Sequence, residues 1–148
     1  MKKIICLLAI LSLTACGGES SNAPSKAEKK GTFKATMGDK KIDVAVNCFN
    51  FDTDKFDTEF VFASDDGFGH KDLDGDGLII RGDRINLTSP MKMDGMSLSI
   101  VDNGVEYESI PTSMGTFSKT DKGITGTAKL YKSGTMTSSS VTYEVVCK

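Results

Sequence analysis

The stretch Ile42-Asp43-Val44-Ala45-Val46-Asn47-Cys48 decides the fold that the sequence predicts. Its larger apolar side chains and its cysteine occupy every second position, and this period of two is typical of a β-strand with one buried face. The end of the chain repeats the pattern, with Val141, Tyr143, Val145 and Cys147 in phase. The sequence therefore predicts two strands that each end with a cysteine on the buried face.

The same period of two recurs between these two strands, and turn residues separate the segments. Asp102-Asn103-Gly104 lies between alternating stretches, and Asn-Gly in this position predicts a type I′ hairpin. A third strand is expected near Glu59 to Ala63, and two separate short runs are expected at Leu78 to Ile80 and Ile85 to Leu87. No ten-residue stretch has the apolar stripe of a helix. We expect an all-β fold, an antiparallel β-sandwich or small barrel of about eight or nine strands.

Residues 1–15 have the composition of a signal peptide. Met1-Lys2-Lys3 is basic, and Ile4 to Leu13 is an apolar run too short to span a bilayer as a helix. The following Leu13-Thr14-Ala15-Cys16 resembles a bacterial lipobox. The resemblance implies that the chain is cleaved before Cys16 and that this residue carries a lipid, palmitate included. An ordinary cleaved signal with a chance cysteine is the alternative.

A lipid on Cys16 would attach the chain to a membrane of the cell envelope. Gly17 follows the cysteine where Asp would favour the inner membrane, so the outer membrane is favoured. Residues 16–30 then form a flexible tether, rich in Gly, Ser, Lys and Glu, that spans roughly 20 Å. Residues 31–148 form a single β domain.

The cysteine count predicts one disulfide bond. Cys6 is removed with the signal peptide and Cys16 is acylated, which leaves Cys48 and Cys147 as a pair in an oxidising compartment. Both are in phase with the apolar face of their strand. A redox pair or a metal-thiolate site is the alternative, but neither cysteine has the CxxC spacing.

Three segments are similar to the small lipoprotein-antigen family of mycobacteria: Gly38 to Cys48, Thr125-Gly126-Thr127-Ala128 and Tyr143 to Cys147. Members of that family have a lipobox, a polar tether, a strand that ends in cysteine, and a TGTA-like segment before a final strand that ends in cysteine. The resemblance covers only part of the chain. It implies a disulfide-linked sandwich, and it implies no enzyme activity.

The charge of the chain is negative and unevenly distributed. Without Lys2 and Lys3 there are 16 basic and 20 acidic residues, a net charge of −4, and no basic patch favours nucleic acid. Ten of the acidic residues lie between Asp52 and Asp83, against three basic residues. Such a cluster indicates either a solvated face or a cation site.

Within this cluster, Asp72 to Asp83 resembles an EF-hand-type calcium loop. Asp72, Asp74 and Asp76 occupy positions 1, 3 and 5, and Gly77 occupies position 6, where the loop turns sharply. Leu78 would contribute its carbonyl at position 7, and Asp83 stands at position 12 in place of the longer Glu. The flanks read as strands and not as helices. Two interpretations of this loop remain: a calcium site, and a solvated, metal-free Asp/Gly turn.

Two further sets of residues are candidate functional sites. Met91, Met93 and Met96 have a spacing found in periplasmic copper carriers, but Met96 alternates with Leu98 and Ile100 and is expected to fill the core. His70 is the only histidine and is expected in a solvated loop. We found no motif that indicates an enzyme.

These observations predict a membrane-anchored bacterial lipoprotein that is a non-catalytic binding module, with calcium as the candidate cofactor. Its partner would be an unknown protein or another component of the envelope. Two other functions remain as alternatives: an envelope inhibitor of a lytic enzyme, and periplasmic copper handling.

Overall fold

The computed structural model describes residues 29–64, 77–87 and 93–148, and within these ranges the chain forms nine strands and one short helix. The helix, α1, comprises Phe56–Glu59. The strands are β1 (Lys29–Met37), β2 (Lys40–Phe49), β3 (Val61–Ala63), β4 (Leu78–Leu87), β5 (Met93–Asp102), β6 (Val105–Glu108), β7 (Thr116–Thr120), β8 (Gly123–Lys132) and β9 (Ser138–Cys147). All their pairings are antiparallel.

The strands form one sheet in the order β6-β5-β4-β3-β2-β1-β9-β8-β7, and a further pairing joins β6 to β8. That pairing closes eight of the described strands into a barrel and leaves β7 as an extra strand beside β8. The predicted all-β antiparallel fold is confirmed. Of the two predicted architectures, the barrel is the one that forms.

The interior of the barrel is filled by the side chains that alternate inward along each strand. Phe33 lies near its centre and stacks against Phe62 and Tyr143, with ring centroids 5.7 and 6.2 Å apart. Ile80, Leu98 and others are fully buried in the same cluster. An eight-stranded barrel is just wide enough for side chains to fill it, so the core of this barrel is a packed interior.

The predicted disulfide is confirmed. Cys48 on β2 and Cys147 on β9 are bonded, with Cα atoms 6.0 Å apart and a sequence separation of 99 residues. Both side chains are buried, as the phase of their strands predicts. The bond joins the beginning of the domain to its last strand.

The predicted Asn103-Gly104 hairpin is also confirmed. It joins β5 to β6, and Asn103 and Gly104 have φ values of 49° and 75°. A type I′ turn requires positive φ at both central residues, which Asn and Gly adopt at low cost.

Three predicted boundaries differ from the structure. Residues 56–59 form α1, so the strand expected from Glu59 begins at Val61. The helical turn of α1 buries Phe56 against Phe60, and the centroids of the two rings are 5.0 Å apart. The two short runs expected between residues 78 and 87 form one strand, β4. Gly82 leaves room there for the ring of Phe62, so the polar residues around it do not end the strand. Finally, β1 begins at Lys29, two residues before the predicted domain boundary.

The strand directions give the barrel two distinct ends. The first described residue, Lys29, lies at one end, where the β7–β8 turn and residue 148 also lie. The β1–β2, β5–β6 and β8–β9 turns lie at the opposite end. β3 runs toward this opposite end, and β4 begins there with Leu78 beside Asp102. Among the described residues, no helix is long and apolar enough to cross a membrane.

Candidate binding surface

The candidate binding surface is an open groove of about 850 Å³ on the outer wall of the barrel. It lies over five adjacent strands in the order β2-β1-β9-β8-β7. Side chains fill the described interior, so among the described residues it is the outer surface that offers room for a ligand. We call this surface the outer groove.

A row of four threonines crosses the outer groove. The strand registers place Thr36 beside Thr142, Thr142 beside Thr127, and Thr127 beside Thr116. Adjacent strands are about 4.8 Å apart, so the four hydroxyl side chains span about 14 Å. Thr116 and Thr127 are joined by a 2.9 Å hydrogen bond between their hydroxyls. All four side chains are exposed.

A second row runs parallel to the threonine row, about 7 Å further along the strands. Its members are, from β2 to β7, Asp43, Lys34, Glu144, Thr125 and Ser118. Charges therefore alternate in sign over β2, β1 and β9, whereas β8 and β7 contribute only hydroxyls. Lys41 lies beside Thr36 and adds a cation at the β2 end of the first row. The outer groove thus has a charged end and a neutral, hydroxyl-lined end.

Tyr143 holds β7 in place beneath the hydroxyl-lined end. Its hydroxyl donates to the carbonyl oxygen of Thr116 at 2.8 Å. The ring crosses β8 at Gly126, where a Cβ would lie 2.6 Å from the Tyr143 hydroxyl oxygen. Burial raises the pKa of Tyr143 above its ordinary value because the charged phenolate would lose its hydration. The phenol therefore stays protonated and remains a hydrogen-bond donor.

Arg84 fixes the other face of β7. Its guanidinium lies 4.5 Å from the centre of the Phe117 ring, and its Nη2 is 2.5 Å from a carboxylate oxygen of Asp94. Nη1 also donates to the carbonyl of Gly95, and the side chain is 5% exposed. These contacts join β4, β5 and β7, and they hold β7 in place as one side of the outer groove.

The predicted calcium ligands fall in two groups. Asp72, Asp74 and Asp76 lie outside the described residues, whereas Leu78 and Asp83 belong to the regular strand β4. Five residues of strand separate Leu78 from Asp83 by roughly 16 Å, and calcium takes its oxygen ligands at about 2.3–2.6 Å. In this conformation one ion cannot take both residues as ligands.

Asp83 instead pairs with a cation of its own strand. Arg81 donates to its two carboxylate oxygens from Nε and Nη2, at 2.8 and 3.1 Å. The hydrogen bond to Asp83 raises the pKa of Arg81. No group of three or more His, Cys, Asp or Glu residues suited to a metal ion occurs among the described residues. Calcium binding stays a prediction that depends on Asp72, Asp74 and Asp76.

The other predicted sites divide in the same way. Cys16, His70 and Met91 lie outside the described residues. Met96 is fully buried in the core, which confirms its interpretation as core filler, and Met93 is half-buried at the start of β5. The lipobox, the tether and the copper alternative therefore stay predictions.

Comparison with known proteins gives no match. No protein-family model, curated protein or solved structure is significantly similar to this chain. The resemblance to the mycobacterial lipoprotein antigens stays a prediction.

Sequence reasoning missed the outer groove. Its hydroxyl-bearing residues are spread over residues 36–142, and a row appears only when strands distant in the sequence are paired. One signal was present, because Thr125 and Thr127 alternate with residues that face the interior. Threonine is common on exposed strands, so this alternation alone predicts no site.

Proposed function

We propose that this chain is a lipid-anchored, non-catalytic binding module of the bacterial envelope, which engages its partner through the outer surface of the barrel. The outer groove is the observation that carries the proposal, since it is a large concave surface over a packed interior. The lipobox supports the location. A tether that joins the barrel at Lys29 leaves the groove and the opposite end accessible.

The test of the anchor is metabolic labelling with a fatty acid. Wild-type chain should incorporate the label, and Cys16→Ser should abolish incorporation and leave an unprocessed precursor. Cys6→Ser is the matched control, because it changes a cysteine that the lipobox does not use. Label that persists in Cys16→Ser would contradict lipid attachment at this residue.

The partner is sought by cross-linking. A photoreactive residue introduced at Thr125 should capture the partner in intact cells, because this side chain lies in the outer groove. The same residue introduced at Lys129, which is exposed on β8 but outside the groove lining, is the control. Equal capture at the two positions would contradict binding through the groove. Repeating the experiment with calcium and with a chelator tests whether the cation takes part.

One observation favours the second candidate function, an inhibitor of a lytic enzyme. The β8–β9 turn projects at the end opposite the tether, and its Met136 is 91% exposed. Hydrogen bonds hold the turn, including Thr135 Oγ1 to the Lys132 carbonyl at 3.0 Å and Ser133 N to the Glu106 carbonyl at 2.9 Å. A rigid projecting turn suits insertion into a cleft. The test is inhibition of a purified muramidase by the wild-type chain, with loss of inhibition in Met136→Asp.

A further inference from the structure

The arrangement of the outer groove indicates the chemistry of its ligand. We propose that the groove binds the cell-wall polymer, an amino-sugar chain that carries short peptides with both carboxylate and ammonium groups. This inference rests on the proposed function, because the lipid anchor is what places the domain beside the wall. The ligand is assigned from the two different ends of the groove.

The hydroxyl-lined end suits the sugar chain. Each threonine or serine hydroxyl donates one hydrogen bond and accepts others, as does each hydroxyl of a sugar. The threonine row presents one hydroxyl every 4.8 Å or so, a spacing comparable to the length of one pyranose unit. A chain that runs across β1, β9, β8 and β7 could therefore meet a hydroxyl with each successive sugar. The groove offers no exposed aromatic platform, so we expect modest affinity.

The charged end suits the peptides. Lys34 and Lys41 can pair with carboxylates, and Asp43 and Glu144 can pair with an ammonium group. The pair between Lys34 Nζ and Asp43 spans 3.7 Å, and both side chains are more than half exposed. An ion pair of this kind contributes little to stability, so either partner can be transferred to a ligand at small cost.

A plain polysaccharide or a plain peptide would use only one end of the groove. Uncharged sugars would make no ion pair with the alternating charges of β2, β1 and β9. A peptide would leave most of the threonine row without a hydrogen bond to the ligand. The cell-wall polymer offers both kinds of group on one molecule, which is why the groove as a whole favours it.

The test is binding of the mature wild-type chain, extracted with its lipid in detergent, to purified peptidoglycan sacculi, measured by co-sedimentation. The double variant Thr36→Val, Thr142→Val removes two hydroxyls and conserves side-chain volume and β propensity. It should bind roughly 5-fold to 150-fold more weakly, as expected for two hydrogen bonds. The control, Thr32→Val with Thr120→Val, makes the same change outside the groove lining and should bind as the unsubstituted chain does.

Lys34→Gln with Lys41→Gln tests the charged end. Binding should weaken and become less dependent on salt, and Lys129→Gln with Lys132→Gln should have no such effect. An amidase removes the peptides and thereby releases soluble glycan strands, so this comparison is made in solution, between peptide-free strands and peptide-bearing strands released by an endopeptidase. The peptide-free strands should bind more weakly by a similar factor, and the threonine dependence should remain.

Three results would overturn the inference: no binding to sacculi, binding that is equal in the Thr36/Thr142 variant and its control, or binding that is unchanged after peptide removal. The outcome is separate from that of the anchor. A chain that is labelled at Cys16 but does not bind sacculi would contradict this inference and leave the proposed anchoring standing.

Discussion

Cys48 and Cys147 lie on the two strands that flank β1, and their disulfide crosses this strand at Gly31. Gly31 pairs with Cys147 in the sheet, and a Cβ placed on it would lie 3.0 Å from the sulfur of Cys48. The bond and the missing side chain therefore form one structural unit. It lies at the end of the barrel where the described chain begins, two residues after Lys29.

We expect Cys48→Ala with Cys147→Ala to lower the free energy of unfolding by roughly 2–5 kcal/mol, because the bond closes a loop of about 100 residues in the unfolded chain. The measurement is urea denaturation. Reduction of the wild-type chain should produce a similar loss and should leave the double variant unchanged. Equal denaturation midpoints for oxidised and reduced wild type would contradict the prediction.

We expect Gly31→Ala to destabilise the domain by roughly 1–3 kcal/mol, since the added methyl has to displace packed atoms. Its Cβ would lie 2.3 Å from the carbonyl oxygen of Val146, which is backbone and cannot rotate away. Thermal unfolding measures the effect, and the control is Ser140→Ala, at an exposed position of β9. A variant as stable as that control would show that β1 and β9 are less closely packed than the structure indicates.

We expect Tyr143→Phe to lower the free energy of unfolding by roughly 1–3 kcal/mol, because the carbonyl of Thr116 loses the hydrogen-bond donor that it has in the wild-type chain. The effect on pH dependence has a definite sign. Burial raises the pKa of Tyr143 in the folded state, whereas the unfolded chain ionises near pH 10. The free energy of unfolding should therefore fall as pH rises above about 10.

The change to Phe should reduce that alkaline loss, because the variant has no phenol at this position to ionise. The free energy of unfolding, measured from pH 8 to pH 11, gives the slope against pH for the wild-type chain and for Tyr143→Phe. An alkaline loss that is the same in Tyr143→Phe and in the wild-type chain would assign the effect to other groups.

We expect calcium to raise the thermal midpoint of the wild-type domain at millimolar concentration. Close carboxylates repel one another without a cation, and binding to the folded state stabilises it by roughly 0.4–1.4 kcal/mol at 1 mM calcium for the affinity given below, rising to about 2.7 kcal/mol at 100 times the dissociation constant. A single loop without flanking helices should bind calcium weakly, with a dissociation constant on the order of 10⁻⁴–10⁻³ M. Magnesium should substitute poorly.

Variants of the acidic stretch separate the two groups of predicted ligands. Asp72→Ala or Asp76→Ala should abolish the calcium effect. Asp83→Asn should leave it intact, because Asp83 is paired with Arg81 in β4. Identical midpoints with calcium and with chelator, in the wild-type chain, would instead favour a solvated turn.

The sequence by itself determined the strands, their inward faces and the disulfide. Alternation along a strand is a local property, and a strand must bury its apolar face, so Ile42 to Cys48 and Val141 to Cys147 could be placed without knowing their neighbours. The Asn103-Gly104 turn was equally local, since positive φ is a property of the residues themselves. Sequence reasoning was wrong at α1 and β4, because Phe56 packs against Phe117 and Gly82 against Phe62, rings that are distant in the sequence.

Only the tertiary structure decided that the sheet closes into a barrel and that a groove lies on its outer wall. Closure depends on the pairing of β6 with β8, which is a matter of register between distant segments. The threonine row arises in the same way, because Thr36, Thr127 and Thr142 become neighbours only through strand pairing. Likewise, the position of Asp83 in a strand separated it from Leu78, although a loop would have brought the two together. Spacing along the chain fixes which face a residue occupies, whereas pairing between strands fixes which residues share a site.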